Sequence, residues 1–321
     1  MSKKILIIRF SSIGDIVLTT PVIRCIKQQL KDVEVHYLTK KSFSEILQNN
    51  TYVDKLHTIE NDVSEIIPVL QKENYDCIID LHNNLRSAQV KILLKKPSYS
   101  FKKLNLQKWL FVNFKWNLLS KIHIVDRYME ATRQLGIKND NKGLDYFIPG
   151  KDEVDLSALP IIHQGGYIGF VIGAKHFTKQ LPTDKIISIC KKINFPMVLL
   201  GGKEDETKGE NIKTAVGEKI YNACGKYNLN QSASLIKQAQ KIITHDTGLM
   251  HIAAAFKKEI ISVWGNTVPE FGMSPYLPDP GSKIIEIKNL SCRPCSKLGY
   301  AKCPKGHFKC MNLIDEGVFE K

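Results

Sequence analysis

Long apolar runs and an amino-terminal leader pattern are both missing from this chain of 321 residues. The opening stretch "MSKKILIIRF" carries charge within its first ten positions, and its apolar run is only four residues long. The sequence nowhere approaches the roughly 20 consecutive apolar residues that a membrane-spanning helix needs. It therefore predicts neither a secretory signal nor a membrane span, and we expect a cytoplasmic location.

Acidic residues are missing between positions 81 and 125, although nine basic residues occur there. The basic residues are Arg86, Lys91, Lys95, Lys96, Lys102, Lys103, Lys108, Lys115 and Lys121. Aromatic residues are interleaved with them, namely Tyr99, Phe101, Trp109, Phe111, Phe114 and Trp116. Such a segment favours an anionic partner, for example a phosphorylated substrate, an anionic membrane surface or a nucleic acid. A solvated basic face on aromatic-packed helices is the simpler interpretation.

Three functional signatures are also missing. Without a helix-turn-helix, RNA-recognition or finger pattern, the net charge of +14 is not enough to predict a nucleic-acid partner, and we expect none. The first strand-to-helix turn, "RFSSIGDIVLTTP", lacks the G-x-G-x-x-G fingerprint of an NAD site. No D-x-D type acid pair occurs where it would demand Mg²⁺, and we expect no cofactor.

Apolar strand patterns alternate with helical ones in both halves of the chain, as in "KKILIIRF" and "YDCIIDLH" early and in "FPMVLLGG" and "EIISVWG" late. Alternation of this kind predicts βαβ units and parallel sheets. Residues 97–135 are predicted to be mainly helical and 136–164 to be rich in turns. We place a boundary there, which gives two Rossmann-like α/β domains, 1–155 and 156–321. Ligands bind such sheets at the carboxyl ends of strands, and two facing domains would leave a cleft.

The first turn places Ser11, Ser12, Gly14 and Asp15 where a strand becomes a helix. Serine or aspartate at a helix start can simply cap it, which contributes about 1 kcal/mol. An acid at a strand's carboxyl end could instead serve as a general base. The spacing alone leaves both interpretations open.

Two loops of the second half carry charge directly after predicted strands. The stretch "GAKHFTKQLP" presents Lys175, His176 and Lys179, whose charges could neutralise a diphosphate or could be ordinary surface groups. In "GGKEDE", Glu204 or Asp205 could accept hydrogen bonds from ribose hydroxyls. Acids at a helix start also complement the helix dipole, so that signal is weak by itself.

The most informative stretch is "THDTGLMHIAAAF", which predicts a strand, a turn and a helix. Asp246, Thr247 and Gly248 form the turn, and the free N–H groups of the following helix would attract a phosphate. His251 lies one helical turn further along, on the same side. A capped core helix explains the same pattern, and the two interpretations are compatible.

Cysteine residues fall into two groups. Four are scattered among mostly apolar neighbours and are predicted to be core residues, namely Cys25, Cys77, Cys190 and Cys224. Four others cluster near the carboxyl terminus, namely Cys292, Cys295, Cys303 and Cys310. Four thiolates could bind Zn²⁺ tetrahedrally, but the second pair is spaced more widely than usual, so we favour a structural loop near the predicted cleft.

Several of these stretches together resemble the bacterial ADP-heptose:lipopolysaccharide heptosyltransferases of glycosyltransferase family 9. The matching stretches are "ILIIRFSSIGDIVLTTPVI", "DLHNNLRS", "TKQLP" and "HDTGLMHIAAAFKKEIISVWGNT", in the family's order. The resemblance implies a GT-B architecture, with an acceptor-binding amino-terminal domain and a nucleotide-sugar-binding carboxy-terminal domain. It implies transfer of heptose from ADP-heptose to the inner core of lipopolysaccharide, with inversion at the anomeric carbon.

The resemblance also assigns roles by position. Asp15 would be the catalytic base, Lys179 the lysine that contacts the diphosphate, and Glu204 or Asp205 the ribose-binding acid. The donor motif would comprise Asp246, Thr247, Gly248 and His251. For the anionic acceptor we predict a set at the ends of two strands, namely Ser11, Ser12, His82, Asn83 and Arg86. The basic segment could also hold the enzyme peripherally at the inner leaflet.

Two alternatives remain open from the sequence. The chain could be a GT-B glycosyltransferase that uses another nucleotide-sugar donor, such as a UDP- or GDP-sugar. It could also be a non-catalytic relative that binds a nucleotide-sugar or a lipid and keeps only the fold.

Overall fold

The computed structural model describes residues 2–320, which form two compact units, each built on a parallel sheet. The first unit consists of the chain up to Lys103 together with Ile122–Phe147. The second consists of Leu104–Lys121 together with the chain from Ile148 onward. The second unit thus includes 104–121 in addition to the chain after residue 147, and the domain boundary that the sequence places near residue 155 stays a prediction.

The sheet of the first unit has five parallel strands in the order β3-β2-β1-β4-β5. Its strands are β1 (Lys3–Ile8), β2 (Val33–Lys40), β3 (Lys55–Ile59), β4 (Cys77–Asp80) and β5 (Ser98–Ser100). Its helices are α1 (Ile13–Val17), α2 (Thr20–Gln29), α3 (Ile67–Glu73), α4 (Leu85–Leu94) and, after α5 (Asn105–Phe114) of the second unit, α6 (Ile124–Glu130).

The central strand β1 explains the core of this unit. Residues 5–8 of β1 are completely buried, and Ile7 pairs with Tyr37 on one side and Ile79 on the other. A continuous apolar run is what a parallel strand covered on both faces requires. The strand predicted from "KKILIIRF" is confirmed, and its carboxyl end leads directly to the turn that carries Asp15.

The helical region that follows the first turn is divided into α1 and α2. It ends at Val17 and begins again at Thr20, where Pro21 occupies the first turn of α2. Proline is favoured at a helix start because its missing N–H has no partner there in any case. The hydroxyls of Thr19 and Thr20 donate to the carbonyls of Ile16 and Val17 and so satisfy the interrupted backbone.

The sheet of the second unit has six parallel strands in the order β11-β10-β9-β6-β7-β8. They are β6 (Ile168–Val171), β7 (Met197–Leu200), β8 (Ile220–Asn222), β9 (Lys241–His245), β10 (Glu259–Trp264) and β11 (Lys283–Glu286). The helices are α7 (Ile161–Gln164), α8 (Thr183–Lys192), α9 (Glu206–Val216), α10 (Leu229–Gln238), α11 (Gly248–Ala255) and α12 (Lys309–Asn312). The two predicted α/β sheets are therefore confirmed.

The region 97–135, expected to be mainly helical, contains the short strand β5 as well as α5 and α6. All side chains of α5 keep contact with solvent. Within residues 2–320, no helix has both the length and the apolar character needed to cross a membrane.

Candidate functional site

The candidate base Asp15 lies on α1, just beyond the carboxyl end of β1. Its Oδ1 is 2.7 Å from an Nη2 of Arg9, and its Oδ2 accepts a hydrogen bond of 2.8 Å from the Ser12 hydroxyl. The Asp15 side chain keeps 22% of its exposure, so solvent still reaches the carboxylate. The carboxylate is therefore oriented by two partners without being sealed off.

Arg9 is held firmly in place by groups other than Asp15. Its Nη1 donates to the carbonyl of Leu81 at 2.6 Å and to the hydroxyl of Tyr128 at 3.0 Å. Its Nε donates to the carbonyl of Ser11 at 2.8 Å. Since a guanidinium stays charged at any physiological pH, Arg9 supplies a permanent positive charge beside the carboxylate. Arg9 was not among the predicted site residues, although it is the last residue but one of the predicted first strand.

The neighbouring strand β4 ends at the same edge, because Ile8 pairs with Asp80 in the parallel register. The buried carboxylate of Asp80 accepts the backbone N–H groups of His82 and Asn83 at 3.0 and 2.7 Å. Its other oxygen is 2.9 Å from Lys91 Nζ. Asp80 thus shapes the loop that carries two of the predicted acceptor residues, a role that sequence reasoning missed.

The predicted acceptor residues differ in accessibility. Burial, with the nearby charges of Arg9 and Lys103, lowers the pKa of His82 to about 4, so its imidazole is neutral at pH 7. The His82 ring packs edge-on against Phe10, with ring centroids 5.1 Å apart. Asn83 donates to the carbonyl of Phe101, whereas Arg86 is exposed. The structure brings Ser12, Asp15 and His82 to one edge of the first sheet.

In the second unit, Lys179 and Asp246 form an ion pair. Lys179 Nζ is 2.5 Å from Asp246 Oδ2, and the hydroxyl of Thr267 donates to the same oxygen at 2.9 Å. Asp246 follows β9 and Thr267 follows β10, which pair with each other in parallel. The carboxyl ends of two adjacent strands and the Lys179 loop therefore meet at one point.

Helix α11 starts at this point. Its N-cap residue Thr247 has extended backbone, and its hydroxyl lies 3.5 Å from Thr244 Oγ1 instead of capping the helix. The backbone N–H groups of the first turn, beginning at Gly248, are left for a ligand or water. A helix start of this kind, next to a lysine, favours a phosphate group.

The two histidines of the motif are both buried. His245 Nε2 accepts the backbone N–H of Leu181 at 3.0 Å, which ties the end of β9 to the Lys179 loop. Burial lowers the pKa of His245 to about 3, so it stays neutral. His251, predicted to bind the donor, is 2% exposed on α11. A direct contact of His251 with a ligand stays a prediction.

The structure separates the two candidate ribose acids. Asp205 is 6% exposed, and it accepts the N–H of Gly202 at 3.0 Å. It lies so close to Gly173 that a Cβ there would be 1.9 Å from Asp205 Oδ2. Burial raises the pKa of Asp205. Glu204 is exposed, whereas Asp205 is buried against the strand ends, so Glu204 is the more accessible of the two candidate acids.

Lys208 was not predicted and lies next to these groups. Its Nζ donates to the carbonyl of Ile172 at 3.1 Å and to Gln180 Oε1 at 3.2 Å. Burial lowers the pKa of Lys208 to about 8. Its charge lies at the carboxyl end of β6, but its position in an ordinary amphipathic helix gave no signal in the sequence.

The cysteine-rich segment, residues 292–310, forms hydrogen bonds with the loops of this site. Thr178, next to Lys179, accepts the N–H of Tyr300 at 2.8 Å through its hydroxyl, and its own N–H donates to the Tyr300 carbonyl. The N–H of Cys295 donates to the carbonyl of Asn266 at 3.1 Å, and Arg293 donates to that of Thr267 at 2.8 Å. These bonds support the predicted structural role of the loop, although they connect it to the candidate donor residues.

The four clustered cysteines are all free thiols. Cys292 Sγ lies 3.9 Å from His307 Nε2, and Cys295 Sγ donates to the carbonyl of Cys292 at 2.9 Å. Across residues 2–320, the one set of three or more candidate ligands with all ligand atoms within 4.8 Å of one another is in the first unit, at His36, His57 and Glu73. Zinc binding at the cysteine cluster stays the less favoured of the two sequence interpretations.

Comparison with known proteins gives a consistent result. Residues 64–301 match the family described as glycosyltransferase family 9 (heptosyltransferase). A curated relative from Campylobacter coli, lipopolysaccharide heptosyltransferase 1, is 27% identical over 319 residues, covering 89% of this chain and 92% of the relative.

Two solved structures are similar in fold. The glycosyl transferase family 9 protein of Veillonella parvula DSM 2008 has a TM-score of 0.73 at 21% identity, covering 88% of this chain and 85% of its own. E. coli ADP-heptose lipopolysaccharide heptosyltransferase II has a TM-score of 0.70 at 20% identity, covering 97% and 98%. These likenesses confirm the predicted GT-B class of two parallel-sheet α/β domains.

Proposed function

Because this chain belongs to glycosyltransferase family 9, the heptosyltransferase family, we propose that it transfers heptose from ADP-heptose to the inner core of lipopolysaccharide. The Campylobacter coli relative is a lipopolysaccharide heptosyltransferase, and the E. coli neighbour is an ADP-heptose lipopolysaccharide heptosyltransferase. The observation that carries the proposal is the set formed by Lys179, Asp246 and the start of α11, which suits the diphosphate of a nucleotide-sugar.

The first half of the reaction needs a base. Asp15 Oδ2 takes the proton of the attacking acceptor hydroxyl as that oxygen forms a bond to the anomeric carbon. The Ser12 hydroxyl, now 2.8 Å from the same oxygen, is displaced or shares it with the acceptor. Arg9 binds Oδ1 and keeps the carboxylate in a fixed orientation while the proton moves to Oδ2. General base catalysis of this kind typically contributes ~10²–10⁴-fold.

The second half needs a stabilised leaving group. The bond from the anomeric carbon to the diphosphate oxygen breaks on the opposite face, so configuration inverts and ADP departs with an added negative charge. Lys179 Nζ exchanges part of its contact with Asp246 for the diphosphate, and the N–H groups at Gly248 donate to it. Exposed Glu204 accepts the ribose hydroxyls. These groups are aimed at charge that develops during departure.

Acceptor binding is assigned to the edge of the first sheet. The hydroxyls of Ser11 and Ser12, the amide of Asn83 and the neutral His82 can hydrogen-bond sugar hydroxyls near Asp15. The exposed guanidinium of Arg86 suits a carboxylate or phosphate of the inner core. We divide the chain accordingly into an acceptor-binding amino-terminal part and a donor-binding carboxy-terminal part.

Product formation tests the proposal. The enzyme is incubated with ADP-heptose and a heptose-deficient core acceptor, and the acceptor is analysed by mass spectrometry for the added heptose. Parallel thermal-shift titrations with ADP-, UDP- and GDP-sugars identify the nucleotide, because ligand-linked stabilisation grows as RT ln(1 + [L]/Kd). Turnover with a UDP- or GDP-sugar alone would replace the donor in the proposal. Stabilisation by ADP-heptose without any product would favour a non-catalytic binding protein.

We further propose that the enzyme works at the cytoplasmic face of the inner membrane, docking through an aromatic surface on and after α5. The large side chains of this surface are at least half exposed, and they are Leu106, Trp109, Phe114, Trp116 and Leu118. The acid-free segment places lysines such as Lys108 and Lys121 beside them. Aromatic side chains insert at the headgroup boundary, and lysines attract anionic lipid.

Vesicle binding tests this surface. We expect the protein to co-sediment with vesicles containing phosphatidylglycerol and to be released by Trp109→Ser with Trp116→Ser. Leu313→Ser removes an exposed apolar side chain elsewhere in the second unit and should leave binding unchanged. Binding that survives the tryptophan substitutions would place the membrane contact elsewhere.

A further inference from the structure

A buried polar cluster in the first unit has no part in the proposed reaction. It consists of His36 on β2, His57 on β3, Glu73 at the end of α3 and Tyr75 between α3 and β4, and we call it the histidine cluster. His36, His57 and Tyr75 are at most 4% exposed. Leu38 pairs with His57 in the parallel register, so the two histidines are diagonal neighbours under α3.

The potential metal-ligand atoms of this cluster lie close together. His36 Nδ1 is 3.0 Å from Tyr75 Oη and 3.4 Å from His57 Nε2, and Tyr75 Oη is 3.1 Å from His57 Nε2. Glu73 Oε2 lies 3.9 Å from His36 Nδ1. Ligand atoms around a tetrahedral zinc ion with bonds of about 2.0–2.1 Å are about 3.3 Å apart. His36 Nδ1 and His57 Nε2 therefore have the spacing of two zinc ligands, whereas the Glu73 carboxylate, within 4.8 Å of both, must move inward to complete the coordination shell.

We propose that His36, His57 and Glu73 bind one divalent transition metal ion, with zinc the best match to this set of two imidazoles and one carboxylate. Imidazole and carboxylate ligands together with tetrahedral spacing are the usual combination for zinc. Tyr75 Oη lies 3.0 and 3.1 Å from the two nitrogens and would be the fourth ligand.

The surroundings of the cluster are consistent with metal binding. Glu34 Oε2 lies 3.6 Å from His36 Nε2, on the side away from the other ligands, where a carboxylate commonly orients a metal-bound imidazole. Burial lowers the pKa of His36, and it lowers that of His57 to about 4, so both rings are neutral at pH 7. Neutral imidazole is the form that binds metal.

Two lysines now neutralise the carboxylate. Lys55 and Lys4 both form ion pairs with Glu73, the latter at 3.3 Å, and Lys55 followed by Lys4 holds the pKa of Glu73 at about 2. Glu73 keeps 13% of its side-chain exposure, and the lysines are more exposed. A metal ion can thus enter from the Glu73 side as the flexible ammonium groups withdraw toward water.

The ion would have a structural role. Asp15 and His82 lie beyond the carboxyl ends of β1 and β4, whereas His36 lies within β2, beside Leu6 of β1. A metal held by His36, His57 and Glu73 would tie two adjacent strands to the helix that covers them. Binding to the folded chain alone would raise its stability by mass action.

A competing explanation is a hydrogen-bonded triangle without metal. The Tyr75 hydroxyl can donate to one imidazole and accept from the other, which satisfies all three groups if both histidines adopt the same tautomer, protonated either on Nδ1 or on Nε2. The two explanations differ in one measurable respect, because the triangle binds no zinc.

Metal analysis of the full chain decides between them. Since the cysteine cluster could also take up zinc, the measurements use a Cys292→Ser, Cys295→Ser background. We expect one zinc ion per chain after dialysis, counted by plasma mass spectrometry, and a cobalt-substituted spectrum without thiolate-to-cobalt charge transfer. In chelator competition, Glu73→Gln should weaken zinc binding at least ~10–100-fold, the loss seen even for second-shell changes. His57→Gln should weaken it further.

The matched control is His163→Gln, which replaces a fully buried histidine of the second unit and should leave zinc affinity unchanged. The proposal is overturned if the cysteine-substituted chain takes up no zinc, or if both variants bind it as tightly as their parent. If His57→Gln does not fold, the cobalt spectrum and the zinc affinity of Glu73→Gln, which alters a carboxylate at the edge of the cluster, still decide the matter.

Discussion

In the first unit Asp15 is paired with Arg9, whereas in the second unit Asp246 is paired with Lys179. The guanidinium of Arg9 is also bound to Leu81, Tyr128 and Ser11, so it cannot leave its place. Within residues 2–320 the hydrogen bonds of Lys179 Nζ all go to Asp246, at 2.5 and 3.4 Å. The two ion pairs look alike in distance but differ in how many other contacts hold the cation.

This difference indicates different tasks. A fixed guanidinium orients a carboxylate that must accept a proton in one direction, and it remains charged throughout. An ammonium on a flexible stem can exchange one anion for another, so Lys179 can turn from Asp246 to a diphosphate. The two ion pairs are therefore consistent with the proposal that the Arg9 pair serves proton transfer and the Lys179 pair serves ligand binding.

The largest expected effect tests the first pair. Asp15→Asn keeps the shape of the side chain but removes its ability to take a proton, so kcat should fall ~10²–10⁴-fold. The KM for ADP-heptose should change little, because donor contacts are assigned to the second unit. Steady-state kinetics with Glu60→Gln, an exposed carboxylate of the same unit, as the control check this. Undiminished turnover in Asp15→Asn would remove Asp15 from the chemistry.

The next effect tests the second pair. Lys179→Ala removes a charged hydrogen bond to the diphosphate, which is worth about 1.5–3 kcal/mol and so roughly 10–100-fold in the Kd for ADP. Isothermal titration of ADP measures it. Lys175→Ala, an exposed lysine of the same loop, should change the Kd by much less. Equal losses for both lysines would mean that the loop acts through its overall charge and not through Lys179.

The smallest effect tests how the second site is packed. Gly173→Ala would bring a Cβ within 1.9 Å of Asp205 Oδ2, so Asp205 must shift, at a cost of about 1–3 kcal/mol in the free energy of unfolding. Urea unfolding measures it, with Gly165→Ala as the control, because no atom lies within 4 Å of a Cβ at that position. If the two variants are equally stable, Asp205 is not closely packed against Gly173, and packing does not distinguish Asp205 from Glu204.

The strands that the sequence patterns identified and those that they missed differ in position. The strands found were central ones such as β1, β4 and β9, which have neighbours on both sides and read as apolar runs. The four missed strands, β3, β5, β8 and β11, are the four edges of the two sheets. An edge strand is short and partly exposed to solvent, so it lacks the continuous apolar run that identifies a strand in the sequence.

The sequence alone determined which polar residues follow the strands. The positions of Asp15, Lys179 and Asp246 after strands could be predicted because the strand, the turn and the helix follow one another in the chain. Each such pattern is visible in a short stretch of sequence. Tertiary structure decided which partners these residues meet. Strand order and packing join residues that are far apart in sequence. They decide that Asp15 pairs with Arg9 and that His36 meets His57. They also decide that Glu204 is exposed while Asp205 is buried.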